Sequence, residues 1–199
     1  MRNAVYYLQR YAVKDNTELA EFLRIIDTEV HTSDQIISNL LEMTRAKQPT
    51  FETINLAGIA EEVWHRLPQR DNVRCRWVMS PEPFLCHADA AQLRQVLTNL
   101  LTNAVQALEG TGEIVISGQR DETWDIITVQ DDGLGVPPDV RDRLFEPLFS
   151  TKTKGTGLGL TICRQIVEKH GGTLTLGEST CGAAFRITLP RQSADNKEA

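Results

Sequence analysis

Apolar positions change their period along this chain, and the changes divide it. Residues 1–13 place Val5, Leu8 and Ala12 on one helical face. Lys14, Asp15 and Asn16 read as a tight connection, and Thr17 is a candidate N-cap. To about residue 46, Leu19, Leu23, Ile26, Val30, Ser33, Ile37, Leu40 and Thr44 then recur at alternating spacings of four and three. That seam predicts a long helix facing other helices in a bundle. The alternative is a helix packed on its own domain. Pro49 marks the boundary between this helical region and a globular domain.

Beyond Pro49 short strands and helices alternate. Residues 51–56 read as a strand and 56–67 as a helix stopped by Pro68. Residues 73–79 and 84–87 read as strands split by the Pro81, Glu82, Pro83 turn. Residues 88–108 carry Leu93, Val96, Leu97, Leu100, Leu101, Ala104 and Leu108 as a helical stripe, ended by Gly110. Further strands cover 113–118 and 126–130, joined near Asp121. Pro137 and Pro138 open a short helix to 144, and a longer helix covers 155–170. Residues 173–177 and 184–189 form a hairpin around Cys181 and Gly182, and the polar stretch 191–199 predicts a disordered tail. This order predicts an α+β fold: a helical hairpin, then a two-layer sandwich in which a mixed β-sheet is covered on one face by helices.

Composition narrows the classes. The chain has 199 residues, 41% of them hydrophobic, enough for an ordinary core and one small extra unit. A net charge of −6 argues against nucleic acid as partner. No apolar run reaches the ~18 residues of a membrane span, and no signal peptide is visible, so no membrane contact is expected within these residues. Cys75, Cys86, Cys163 and Cys181 have no C-x-x-C spacing. Reduced thiols in a cytoplasmic chain are expected, and zinc is not.

The chemistry concentrates in residues 131–160. They read D-D-G-L-G-V-P, then L-F-E-P-L-F-S-T-K, then G-T-G-L-G-L. Glycine lets backbone approach a ligand closely. The second cluster runs into the helix containing Leu160, Ile162, Ile166 and Val167, and a helix N-terminus favours anions such as phosphate. A P-loop is excluded because no Gly-Lys-Ser/Thr tripeptide occurs. The dinucleotide fingerprint would need glycine where Leu160 stands. A eukaryotic-type protein kinase would need V-A-I-K, H-R-D and D-F-G, which are missing. Upstream, Asn99 and Asn103 are four apart and share one helix face. Asparagine is a poor helix former. A metal or phosphate role explains the pair; plain exposed polar residues remain the alternative.

N-L-L-T-N-A, D-D-G-L-G, L-F-E-P-L-F and G-T-G-L-G-L, in this order, resemble the four boxes of bacterial sensor histidine kinases of the GHKL superfamily. The resemblance covers about residues 50–190. It implies ATP and magnesium as cofactors, with Asn103 the magnesium ligand and Asn99 beside it near the phosphates. Asp131 is implied as the acceptor for the adenine amino group, with Gly133 and Gly135 passing close to the base. Residues 138–154 match a mobile lid anchored by Phe145 and Phe149. Lys152 is the lid cation best placed for the γ-phosphate, and Lys154 a weaker candidate. Gly155, Gly157 and Gly159 shape the phosphate-facing helix start, with Thr156, Leu158 and Leu160 counted among the nucleotide contacts.

Two positions depart from the family pattern. The ATPase branches carry a glutamate four residues before the magnesium asparagine; here it is Asn99, which favours a kinase over a hydrolase. Many sensor kinases carry lysine or arginine three residues after it; here it is Gln106. The resemblance also implies a homodimer through the N-terminal helices and a response regulator as partner. The phosphoacceptor context is found at none of His31, His65, His87 or His170. The chain therefore reads as residues 1–47, a partial dimerisation hairpin, and 48–190, the ATP-binding catalytic domain. On this reading it begins inside the first hairpin helix and does not phosphorylate itself. A GHKL-type ATPase and a nucleotide-binding dimer module without kinase activity are the alternatives.

Overall fold

A computed structural model describes residues 17–44, 48–68, 72–80, 82–152 and 155–191. The expected helix over 1–13, Lys154 and most of the tail lie outside them. Helix α1 spans Thr17–Thr44, β1 Glu52–Asn55 and α2 Leu56–Arg66. Strands β2 (Val73–Met79) and β3 (Leu85–Ala88) come next, then α3 (Ala90–Ala107). After these lie β4 (Gly112–Arg120), β5 (Trp124–Asp131) and a 3-10 turn over Pro138–Arg143. Helix α4 (Gly159–Lys169) and the hairpin β6 (Thr173–Gly177) and β7 (Ala184–Pro190) close the chain.

Five strands form one mixed sheet in the order β2-β4-β5-β7-β6. Only β2 and β4 run parallel; the other pairs are antiparallel. Alternation gives the sheet one apolar face: Ile114 and Ile116 of β4, Ile127 and Val129 of β5, and Phe185, Ile187 and Leu189 of β7 are buried. Helix α3 lays Leu93, Val96, Leu97, Leu100, Leu101 and Ala104 into this core. Helix α4 adds Ile162, Cys163, Ile166 and Val167, and α2 adds Leu56, Ile59, Ala60 and Val63. A separate antiparallel pair, β1 with β3, ties the entry of the domain to α3. This is the expected sandwich.

Two of the helical boundaries differ from expectation. Helix α4 starts at Gly159, not 155, because Gly157 sits at φ +66, outside helical space, and its carbonyl accepts from Leu148 N–H at 3.0 Å. The turn after Pro137 is 3-10, as suits a short connector.

One buried cluster joins α3 to α4. Asp89 caps α3, its Oδ1 accepting from Ala91 N–H and Gln92 N–H at 3.0 Å each. Its Oδ2 accepts from Thr50 N–H at 2.9 Å, which fixes the incoming linker. His170, at the end of α4, is 4% exposed. Its Nε2 accepts from Asp89 N–H at 3.0 Å, so Nδ1 carries the proton and donates to the Ile166 carbonyl at 2.8 Å. Both ring nitrogens of His170 are thus engaged, and it joins the two helices.

Helix α1 packs against α4 and buries Leu23, which is 3% exposed. Ile36 also reaches the core. The seam is therefore divided. Leu23 is used within the chain, while Ile26 and Ile37 of the same seam, with Phe22 and Ile25, are exposed.

Removing the Asp89 carboxylate should unfold the cap and free three amides. Asp89→Ala is expected to lose about 1–3 kcal/mol of stability in urea titration. A loss under about 0.5 kcal/mol would mean that the cap is dispensable.

Candidate functional site

Strand β5 ends at Asp131, and the site is built around that carboxylate. Alternation along β5 turns Asp131 to the core side, where it is 4% exposed. Its Oδ1 accepts from Gly133 N–H at 3.0 Å and from Ala183 N–H at 3.3 Å. Its backbone N–H donates to the Ala183 carbonyl at 2.9 Å, so the residue just before β7 holds it from the other side. Both protein bonds to the carboxylate go to Oδ1, which leaves Oδ2 for the cavity that Asp131 lines. Burial pushes its pKa above the ordinary aspartate value; the two amides, and Lys152 at longer range, pull against that. Gly182 explains itself here: at φ +68, a side chain would place its Cβ 1.9 Å from the Asp131 carbonyl oxygen.

The cavity holds about 400 Å³ between α3, the lid and the start of α4. Asn99 and Asn103 enter it from α3, one turn apart. Asn99 Nδ2 donates to the Gly159 carbonyl at 3.5 Å, joining α3 to the start of α4. Gly135 lies beside Asp131, and Gly155, Thr156, Gly157, Gly159 and Leu160 form the opposite wall. A Cβ on Gly159 would meet nothing nearer than Asn99 at 3.8 Å, so protein packing does not require a glycine there.

The lid rests on aromatic anchors. Phe145 packs on the core, its carbonyl accepts from Thr161 Oγ1 at 3.2 Å, and the Arg164 guanidinium lies 5.6 Å from its ring. Arg143 sits 4.2 Å over the Phe149 ring, and Phe149 lines the cavity. Leu148 between them is held at φ +64, an uncommon conformation for a branched residue. Lys152 reaches back across the cavity. Its Nζ donates to Gln106 Oε1 at 2.7 Å and to Asn103 Oδ1 at 3.3 Å. The residue as a whole is exposed, but its ammonium is drawn among protein atoms. That desolvation pushes the Lys152 pKa down, against the pull of Asp131.

Of the residues expected from sequence, Gly133, Phe145 and Leu158 do not line this cavity. Leu158 is fully buried, and a Cβ on Gly133 would strike the Ala107 carbonyl oxygen at 2.5 Å. Sequence reasoning missed Ala183, which bonds Asp131 from just before β7, and Gly182, whose missing side chain leaves room for the Asp131 carbonyl. A larger, more open depression of about 930 Å³ lies on the far side of the lid, with Arg141, Arg164 and Glu178 on its walls. Of the expected residues it contains only Phe145, so converging polar groups favour the smaller cavity. Asn103 offers a neutral oxygen beside a solvated opening, a donor that fits magnesium, which keeps most of its waters.

Residues 88–193 match the family described as Histidine kinase-, DNA gyrase B-, and HSP90-like ATPase. The chain belongs to this family. Sensor histidine kinase ZraS of Salmonella typhimurium is 34% identical over 181 residues, 87% of this chain and 38% of that protein. The catalytic domain of histidine kinase ThkA shares its structure at a TM-score of 0.64 and 31% identity, over 71% of this chain and 96% of that one. ThkA in complex with response regulator protein TrrA covers 96% of this chain and 57% of that one, with a TM-score of 0.76; at 24% identity that likeness is one of fold. The chain thus spans less than half the length of the curated relatives it matches. Among the described residues no helix is long and apolar enough to cross a membrane.

Burial raises the pKa of Asp131 and so links its charge to stability. Its folded pKa lies above its unfolded value, so its contribution is present below the unfolded pKa and lost as pH rises through the folded one. At neutral pH the Asp131 carboxylate is a net burden on the fold. Asp131→Asn should therefore melt no lower than wild type at pH 7, with a flatter dependence on pH above about 4. A large drop in Tm at pH 7 would contradict this.

Proposed function

We propose that this chain is the ATP-binding catalytic core of a two-component sensor histidine kinase. It would pass the γ-phosphoryl group of ATP to a bundle histidine, from which a response regulator aspartate receives it. The observation that carries the reading is the Asp131 carboxylate, fixed through Oδ1 with Oδ2 turned to a cavity walled by glycines and asparagines. Oδ2 accepts the adenine amino proton, and Gly135 lets the base lie against the backbone. Asn99 and Asn103 face the phosphates, with Asn103 Oδ1 the protein ligand for magnesium. Bound magnesium would neutralise phosphate charge. Lys152 meets the γ-phosphate, while Phe149 lines the site and Phe145, Gly133 and Leu158 shape it from behind.

Transfer is favoured over hydrolysis because Asn99 has no basic oxygen to take a proton from water. Its amide nitrogen is already donated to the Gly159 carbonyl. The acceptor is not among the histidines whose side chains are described. His170 has both ring nitrogens engaged, His87 stacks on Phe51, and His65 faces Glu61 on α2. The response regulator is inferred from likeness to the sensor kinases, among them ThkA, whose complex carries one. On this reading residues 1–47 belong to a dimerisation hairpin and 48–190 to the catalytic domain. A reaction that consumes ATP assigns the chain to the cytoplasm.

Calorimetry tests the site directly. Asp131→Asn should weaken binding of magnesium ATP by about ten- to a hundred-fold, and Asn103→Ala should remove the advantage that magnesium gives. Unchanged affinity in the first, or a retained magnesium effect in the second, would overturn the corresponding role.

The exposed Phe22, Ile25, Ile26 and Ile37 on α1 call for a partner surface, which we assign to a second copy of the chain. Light scattering at micromolar concentration should give a dimer, and Ile26→Asp should give a monomer. A monomeric wild type would contradict the assignment.

A further inference from the structure

Gln106 stands where a cation would be expected beside the phosphates, and its side chain is engaged. Its Oε1 accepts from Lys152 Nζ at 2.7 Å, the shorter of that ammonium's two contacts. The longer one, at 3.3 Å, is to Asn103 Oδ1. An ammonium has three protons, and two are spent on these oxygens. We propose that Gln106 is a positioning residue for the lid, holding Lys152 on the very oxygen that a nucleotide-bound divalent ion requires. The proposal rests on the reading of Asn103 and Lys152 given above.

The two cations compete for one place. Magnesium binds oxygen at about 2.0–2.1 Å, so an ion on Asn103 Oδ1 would lie within a few ångströms of the ammonium. Repulsion at that distance in a partly buried site is several-fold stronger than in water. Lys152 must leave Asn103 as the metal arrives. The phosphates offer it new acceptors, so the same ammonium moves from latch to ligand. A neutral amide suits this exchange. A lysine or arginine at 106 would repel Lys152, whereas a carboxylate would hold it too firmly. The Lys152 backbone is itself held: its N–H donates to Ser150 Oγ at 3.1 Å, and its carbonyl accepts from Gly155 N–H at 3.1 Å.

Hydrogen exchange of lid amides 138–152, without nucleotide, reads the latch alone. Gln106→Leu removes the acceptor and should speed lid exchange roughly three- to ten-fold, whereas Gln106→Glu should slow it. Magnesium ADP should bind Gln106→Leu tighter by a similar factor, because only the longer contact, to Asn103, is left to displace. Opposite signs for two substitutions at an exposed position are not the mark of misfolding. Equal lid exchange in all three proteins would overturn the proposal, as would unchanged or weaker ADP binding by Gln106→Leu. Magnesium ADP failing to bind the wild-type chain, with the exchange ranking intact, would sink the nucleotide reading and still support the contact that Gln106 makes.

Discussion

A buried carboxylate held from two sides is what the rest of this structure depends on. Asp131 closes β5, and its two amide donors come from different places: Gly133 two residues on, and Ala183 just before β7. Taking a carboxylate out of water is unfavourable unless it is well paired. Here the pairing is partial by design of the fold, with one oxygen satisfied and one turned to the cavity. The pairing of β5 with β7, the left-handed Gly182 and the close contact of Gly133 with α3 all serve that one group. The raised Asp131 pKa is the mark of the unfinished arrangement.

Around this fixed point the two helices that wall the cavity are locked together. Asp89 starts α3 and His170 ends α4, and the bond between them lies at the far end from the cavity. At the near end Asn99 reaches the Gly159 carbonyl. The two walls are thus tied at both ends, and the segment that carries Lys152 is held differently. Its fixed parts, Phe145 and the Thr161 bond, lie against α4, while Lys152 reaches the facing wall through two polar contacts alone. Weak polar contacts are what a ligand can exchange, whereas packed aromatics stay.

Much of this was legible in the sequence because it is local. Turn residues bounded β2, β6 and β7 almost to the residue, and the stripe from Leu93 to Leu108 located α3. Asn99, Asn103 and Asp131 were legible as chemistry on that scaffold. What pairs across long separations was not. Ala183 lies 52 residues from the acid it supports, and His170 lies 81 from Asp89. Periodicity gives no hint of either, nor of the sheet order. The seam of α1 shows the same limit: the spacing marks an apolar stripe but not its partner, and Leu23 proved to be buried against this chain's own domain. The start of α4 was set by one left-handed glycine, Gly157, and not by the apolar pattern that continues through it.

The central claim is that Asp131 reads the base of a nucleotide, and base discrimination tests it most directly. Adenine presents an amino group that a carboxylate can accept from; guanine presents a carbonyl oxygen at the same position, which it would repel. Competition of magnesium ATP against magnesium GTP for one fluorescent adenine nucleotide, at equal salt and pH, measures the difference. The account predicts that ATP displaces the probe at least about ten-fold better, and that ATP and GTP displacing it equally would contradict it.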